Sequence, residues 1–392
     1  MFARIWHGRL GGLRLIMLLA VLVLAAVGLR IIVATGRTGE FNKQLMWLAL
    51  GAMAFVAINL FHYQHLGRIS FLLYAGVLVS LVLVLIGKYL HLTAVVPVIN
   101  GTTRWIKLLP FLGDSPLGHI ARVQPSEIAK LTYILALAWY LRYRQNYRHF
   151  SGLVAPFVLT LVPMALILKQ PDLGTVLLFL PVLFCVLFVA GARVKHLLSI
   201  IIIGLLFSPA FYFIMEEYQV DRIKAVFMQN SDEARWRNGP CFQTNRSKIY
   251  IALGQATGQA GSDDPFARHC PLPAEHNDFI FALIAYRWGF WGAVGVMALY
   301  ALVIVGGVEI AAQQAEPFGR LLAVGISALL AVQMFINIGV TMGLMPPTGM
   351  NLPFVSYGGS SLLTNFLSIG LLVNIARRRQ PSLVLRSFEF DD

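Results

Sequence analysis

Charge is what this sequence lacks. Only 12% of its 392 residues are Asp, Glu, Lys or Arg, against roughly 25% in an average soluble domain. With 58% hydrophobic residues, too little polar residue remains to coat a soluble surface, which excludes a soluble enzyme. Acids are the scarcer sign, 18 against 31 Lys and Arg, and the net charge is +13. That excess does not call for nucleic acid, and none is expected as a partner. In a membrane protein, Lys and Arg mark cytoplasmic loops and contacts with anionic lipid. Cysteine is sparse as well, at three residues. Cys185 lies in an apolar run, Cys241 and Cys270 flank one polar stretch, and no metal-ligand cysteine spacing exists. There is no internal repeat and no Gly/Ser-rich linker to suggest a second domain.

What the sequence has is apolar runs, repeated along its whole length. Runs of about 18–25 residues are long enough to cross about 30 Å of hydrocarbon. The first, Leu15–Arg30, is too long for a signal-peptide core and is followed by more spans, so it reads as a retained helix. Backbone groups in hydrocarbon must bond within their own segment, which makes these runs helices. Their spacing predicts helices at 14–34, 45–62, 69–88, 126–142, 152–169, 173–190, 196–214, 279–308, 320–344 and 354–377. The fold class is therefore an all-α integral membrane protein, a single polytopic domain over 1–392 with a bundle of about ten helices.

Charge sets the orientation. With the N-terminus cytoplasmic, the inner segments carry Arg4, Arg9, Arg14, Arg68, Arg142, Arg144, Arg148, Arg193, Lys195, Arg320 and Arg377–Arg379. The short outer loops carry fewer, so both termini are expected in the cytoplasm. Two long outer segments follow, at about 89–125 and 215–277, the second lying between helices seven and eight. The tail 378–392 starts basic and ends with Glu389, Asp391 and Asp392. A disulfide between Cys241 and Cys270 is expected, because the outer compartment is oxidising.

Polar residues gather at the outer ends of the helices, and each cluster admits two readings. Arg104, Lys107, Arg122, Arg222, Lys224, Arg246 and Lys248 form either a solvated loop surface or a site for an anionic ligand. Gln124-Pro125-Ser126-Glu127 opens one helix, and Lys130 follows Glu127 at i+3, on the same face. That pair is either a structural ion pair with capping by Ser126, or functional, because charge at membrane depth is expensive. Asp172, after Gln170-Pro171, reads more simply as a helix cap. Asp278 follows Glu275, His276 and Asn277 just ahead of the eighth helix. It is either an N-cap or a carboxylate able to take a proton from a hydroxyl. From Asn337 to Ser361, Pro346, Pro347, Gly349 and Pro353 break the helix. Ser356-Tyr357-Gly358-Gly359-Ser360-Ser361 then offers small side chains, suited to close helix packing or to a groove for a lipid headgroup.

Taken in order, these motifs carry a resemblance. Thr103-Arg104-Trp105-Ile106, Gln124-Pro125-Ser126-Glu127 with Lys130, and Gln170-Pro171-Asp172-Leu173-Gly174-Thr175 come first. Tyr218-Gln219 with Arg222-Ile223, His276-Asn277-Asp278-Phe279-Ile280-Phe281 and the stretch 337–361 follow. Together they make the chain similar to the RodA/FtsW group of the shape, elongation, division and sporulation family. The resemblance implies a peptidoglycan glycosyltransferase that polymerises lipid II at the outer face of the cytoplasmic membrane. It implies Asp278 as the essential acid, and Arg104, Glu127 and Lys130 as conserved substrate-site residues. Arg222, Lys248 and Ser356 join them as expected substrate contacts. A class B penicillin-binding protein transpeptidase is the implied partner, beside membrane lipid. No cofactor is required by it, and a divalent cation is left open. The Gly343-Leu344-Met345-Pro346 version resembles RodA more than FtsW, which implies elongation and cell shape rather than division.

The chain also departs from the family pattern. Tyr286 and Arg287 stand where members usually carry two acids, and 251–264 holds only Gly254, Gly258 and Gly261 of a usually glycine-rich stretch. Two other function classes stay open: a lipid II flippase, and a non-catalytic scaffold for a transpeptidase. A transporter would place polar residues near the bilayer midplane, whereas these clusters lie at helix ends.

Overall fold

The structure, a computed structural model, describes residues 2–34, 38–93, 95–98, 102–107, 122–144, 146, 149–212, 215–259 and 277–378. Helices dominate it: α1 (Phe2–Ala34), α2 (Thr38–Leu60), α3 (Tyr63–Arg68) and α4 (Ser70–Tyr89) come first. A two-stranded antiparallel ribbon, β1 (Ile106–Lys107) and β2 (Arg122–Val123), pairs Ile106 with Val123 and Lys107 with Arg122. Then follow α5 (Pro125–Leu141), a short 3-10 turn (Phe150–Leu153), α6 (Val154–Leu168), α7 (Leu173–Ala190) and α8 (Val194–Tyr212). Three short helices lie in the segment expected as an outer loop: α9 (Glu217–Phe227), α10 (Ala234–Arg237) and α11 (Phe242–Gly254). The chain closes with α12 (Ile280–Ala312), α13 (Pro317–Thr341) and α14 (Gly359–Arg377).

Among the described residues eight helices are long and apolar enough to cross a membrane: α1, α2, α4, α6 with its leading turn, α7, α12, α13 and α14. The helices expected at 126–142 and 196–214 are present as well. α5 is 17 residues long, and the apolar part of α8 is shorter than a full span, Val194–Phe207. The bundle turns large apolar side chains outward. Ile201, Ile202, Ile203, Leu205, Leu206 and Phe207 of α8 are all exposed, a contiguous patch that water would not tolerate on a monomer.

The core is built on α13 and α5. α13 packs against α12, α7 and α5, and α14 packs along α2. The last helix starts at Gly359 rather than at the expected 354. Residues 349–358 form a loop instead, and Gly349 takes a φ of +72 that favours glycine. α12 is kinked at Gly289, φ +66, where the 255–258 turn docks on it: Phe290 N donates to Gln255 O at 2.8 Å. A side chain at Gly258 would sit 2.3 Å from Arg287 O, and one at Gly254 2.0 Å from Ala285 O, so the docking needs glycine at both; Gly261 lies outside the described residues.

Of the alternatives left open at these positions, two capping readings drop out. Ser126 caps nothing: Gln124 is the N-cap residue of α5, and Ser126 Oγ donates to Asp172 Oδ2 at 3.1 Å. Asp278 is no cap either, since α12 begins at Ile280 with Phe279 at the N-cap position. Asp172, by contrast, does cap α7, accepting from Thr175 N at 3.3 Å. Cys241 is a buried free thiol that donates to Ala225 O. Its expected partner Cys270 lies outside the described residues, as do Asp263, Asp264, Glu275, His276 and the tail from 379.

Candidate functional site

One end of the bundle encloses a cavity of about 490 Å³. Its walls come from the start of α2, the ribbon, the N-terminal ends of α5, α7 and α14, the turn before α12, and Gln333 inside α13. Gln333 lies eight residues before the end of α13, about 12 Å down at helical rise, so the cavity reaches into the helix layer. Among the described residues five cations line it, Lys43, Arg104, Arg122, Lys130 and Arg222, with three carboxylates, Glu127, Asp172 and Asp278.

The ribbon carries Arg104 to the head of α7. There its Nε donates to Gln170 O at 3.0 Å, a second nitrogen donates to Pro171 O, and Nη1 stands 3.8 Å from Asp172 Oδ1. Asp172 is buried and fully engaged: it also accepts from Ser126 Oγ, Thr175 Oγ1 at 3.0 Å and Gln124 Nε2 at 3.2 Å. Gln124 N in turn donates to Ser360 Oγ at 3.1 Å, which ties the heads of α5 and α14. Lys130 and Glu127 form the expected i,i+3 pair, Nζ to Oε2 at 2.7 Å, with both residues buried. Burial makes that pair costly to break, since losing one partner strands a charge.

Asp278 is held from behind by its backbone. Asn337 Nδ2 donates to Asp278 O at 2.9 Å and to Met350 O at 2.7 Å, so one buried amide fixes the turn before α12 against the 349–358 loop. Ser356 completes the clamp: its Oγ donates to Asn277 O at 2.6 Å and accepts from Leu352 N at 2.8 Å. The carboxyl side chain is left to face the cavity across Gly349. Burial pushes it up to about 6, while Arg222 and then Arg104 pull it down and Asp172 pushes it further up. Arg222 rides on α9, whose start is fixed by a reciprocal capping box between Glu216 and Gln219. Its guanidinium is shifted down by burial and by Arg104, with Tyr218, Asp278 and Asp172 opposing.

The cavity thus brings together Asp278, Arg104, Glu127, Lys130 and Arg222 from the residues singled out in the sequence. It does not include the other two. Lys248 donates to Gln229 Oε1 at 2.8 Å, and Gln229 Nε2 donates to Gly343 O at 2.6 Å, so this lysine fastens α11 to the end of α13. Ser356 lies beneath Asp278, in the loop, as part of its support. Arg287 does not enter the cavity: it donates to Ala34 O at 2.7 Å, at the end of α1. Lys43, Trp47 and Gln333 line the cavity and were not singled out; for Lys43 and Gln333 the only signal was a polar residue in a largely apolar helix, and Trp47 had none. Among the described residues no group of three or more His, Cys, Asp and Glu could hold a metal ion.

A many-helix membrane bundle with a cation-rich cavity at one end, walled in part by helix N-termini, is arranged to attract an anionic ligand. The chain belongs to the family of cell cycle proteins that joins FtsW, RodA and SpoVE, which matches residues 9–381. It is a multi-pass membrane protein. It is 34% identical to the probable peptidoglycan glycosyltransferase FtsW of Bacillus subtilis, over 86% of this chain and 81% of that one. It is 27% identical to the peptidoglycan glycosyltransferase RodA of Treponema pallidum, over 93% and 97%. Among solved structures, RodA of Thermus thermophilus aligns with a TM-score of 0.67 at 28% identity, covering 93% of this chain and 97% of that one. A chain from a peptidoglycan synthase complex that coordinates polymerization and crosslinking aligns with a TM-score of 0.76 at 29% identity, covering 92% and 96%.

Proposed function

We propose that the protein is a peptidoglycan glycosyltransferase that polymerises lipid II, with Asp278 as general base. The observation that carries this is the placement of the Asp278 carboxyl: it faces a cavity with Arg104 and Arg222, makes no contribution to capping, and is pushed up to about 6 by burial. A base poised near the working pH combines a large ionised fraction with useful proton affinity.

In the reaction, a sugar hydroxyl of the acceptor gives its proton to Asp278 and attacks the donor's anomeric carbon. The carbon–oxygen bond to the pyrophosphate breaks as the new glycosidic bond forms, which inverts that carbon. The polyprenyl pyrophosphate leaves with the bonding pair, and its growing charge is met by Arg222 and Arg104. Lys130 acts with Glu127 as a nearly neutral pair, shaping the floor more than drawing the phosphate. Lys248 is reassigned to anchoring α11. Both termini lie in the cytoplasm in this reading, ten helices cross the cytoplasmic membrane, and α9–α11 cover the site from outside. A class B penicillin-binding protein is the partner, because the similar synthase complex couples polymerization to crosslinking. The role in elongation rather than division rests on Gly343–Pro346; relatives bearing both names match this chain.

The test is purified protein with lipid II, with and without the transpeptidase, comparing wild type with Asp278→Asn for glycan product. Glycan from wild type and almost none from the folded variant is the expected result. Equal polymer from both rejects the base. Lipid II transport without polymer from the wild type would favour a flippase.

A further inference from the structure

The far end of α5 carries a second hollow that the transferase reading leaves unused. The nearest residues of α5 that line the two hollows, Lys130 and Trp139, stand about 14 Å apart at helical rise. It has a volume of about 860 Å³ and lies between α4, α5 and α6. Its lower wall is apolar: Phe71, Val154 and Val158 are exposed side chains of membrane-spanning helices. Its rim is aromatic and basic. The Arg142 guanidinium lies 3.1 Å over the Trp139 ring, and that of Arg144 lies 4.3 Å over the Tyr140 ring. Stacking holds each guanidinium against its ring without using its N–H donors in directed hydrogen bonds to that ring, because a ring face accepts charge. Arg144 Nη1 spends one donor on Tyr140 Oη at 3.2 Å. No carboxylate is among the described residues that line this hollow.

We propose that this hollow is a binding site for an anionic membrane phospholipid. The headgroup phosphate is held by Arg142 and Arg144, and one acyl chain lies along Phe71, Val154 and Val158. The pattern is charge-complementary at the rim and hydrocarbon-like below, and only a molecule with both properties satisfies both halves. A solvated basic loop would need no apolar trough under it. Tryptophan and tyrosine at the rim belong where hydrocarbon meets headgroups, and basic hollows between helices suit anionic headgroups. The proposal does not depend on the transferase reading.

The experiment is native mass spectrometry of the full chain released from bilayers of equal parts phosphatidylglycerol and phosphatidylcholine. Wild type should retain phosphatidylglycerol in preference, and Arg142→Ala/Arg144→Ala should lower that retention roughly tenfold. Arg193→Ala/Lys195→Ala removes the same charge at the same end of the bundle, outside the hollow, and should leave retention unchanged. Val158→Trp fills the trough with every charge in place and should also lower retention; it carries the test if the arginine variant does not fold. Equal loss in both double-charge variants would show general attraction only and overturn the site. So would wild-type retention in Val158→Trp, no preference between the two lipids, or displacement of the bound species by inorganic phosphate alone.

Discussion

The two ends of α5 both gather charge around a hollow, but by opposite physics. At the head, Glu127 and Lys130 are buried and face each other at 2.7 Å, and Asp172 is buried under four donors. At the foot, Arg142 and Arg144 lie on aromatic rings with no described carboxylate lining their hollow. The difference shows that burial and partners, rather than the number of charges, mark where chemistry can happen. A partnered, desolvated set holds one group, Asp278, away from its ordinary protonation. A basic rim whose hollow has no carboxylate among its described residues can attract an anion but offers no acid there to act on it.

The largest effect should come from the head. Asp278→Asn is expected to lower turnover by about 10²–10⁴, measured as glycan formed from lipid II. Wild-type turnover should climb as pH rises through about 6 and flatten above, since only the ionised carboxyl accepts a proton. The sign for stability is the reverse. The folded state holds this proton more tightly than the unfolded chain does. Its stabilising contribution is therefore present below the ordinary value of 3.8 and lost as pH rises through about 6. At pH above that window the asparagine variant should melt a few degrees higher than wild type, and a lower melting temperature would show that the carboxylate is structural.

Next is a direct test of the contrast. Lys130→Ala should destabilise the protein by about 3–5 kcal/mol, because Glu127 is left buried and alone. Arg142→Ala should cost only about 0.5–2 kcal/mol, the usual worth of a half-buried cation on a ring. Equal costs in denaturation would erase the distinction between the ends. Arg104→Lys keeps the charge but cannot span Gln170 O, Pro171 O and Asp172 together. Binding of lipid II should weaken by about tenfold, the loss of about one charged hydrogen bond; unchanged affinity would remove Arg104 from the substrate's reach. Ser356→Ala should have the smallest effect, a fall in kcat of severalfold with little change in KM. An altered KM alone would mean that it touches substrate.

Much of this was legible in the sequence because length and charge are local properties. The run 173–190 coincides with α7, and the i,i+3 rule alone placed Lys130 beside Glu127. What was not legible depended on tertiary packing. Lys43 and Gln333 sit within largely apolar helices, and only the meeting of α2 with α14 and of α13 with α5 turns them toward a shared space. The ribbon strands are two residues each, too short for any alternation to show. Asp278 looked like a cap because an acid precedes a helix; one more turn residue, Phe279, was enough to free its side chain. Lys248 carries the same charge as Arg222 and comes from the same long segment, yet its helix faces Gln229 rather than the cavity.

The clamp made by Asn337 and Ser356 has a consequence for how this protein can change over time. The carboxylate is aimed by a helix and a short loop that follow it in the chain, not by the long segment that leads up to it. Length changes in that segment that leave Arg222, the 255–258 turn and Asn277 in place can therefore accumulate without turning Asp278 away from its partners. Asn337 has no such freedom: it bonds two backbone carbonyls at once, and no other side chain of its size presents the same two donors from that spot.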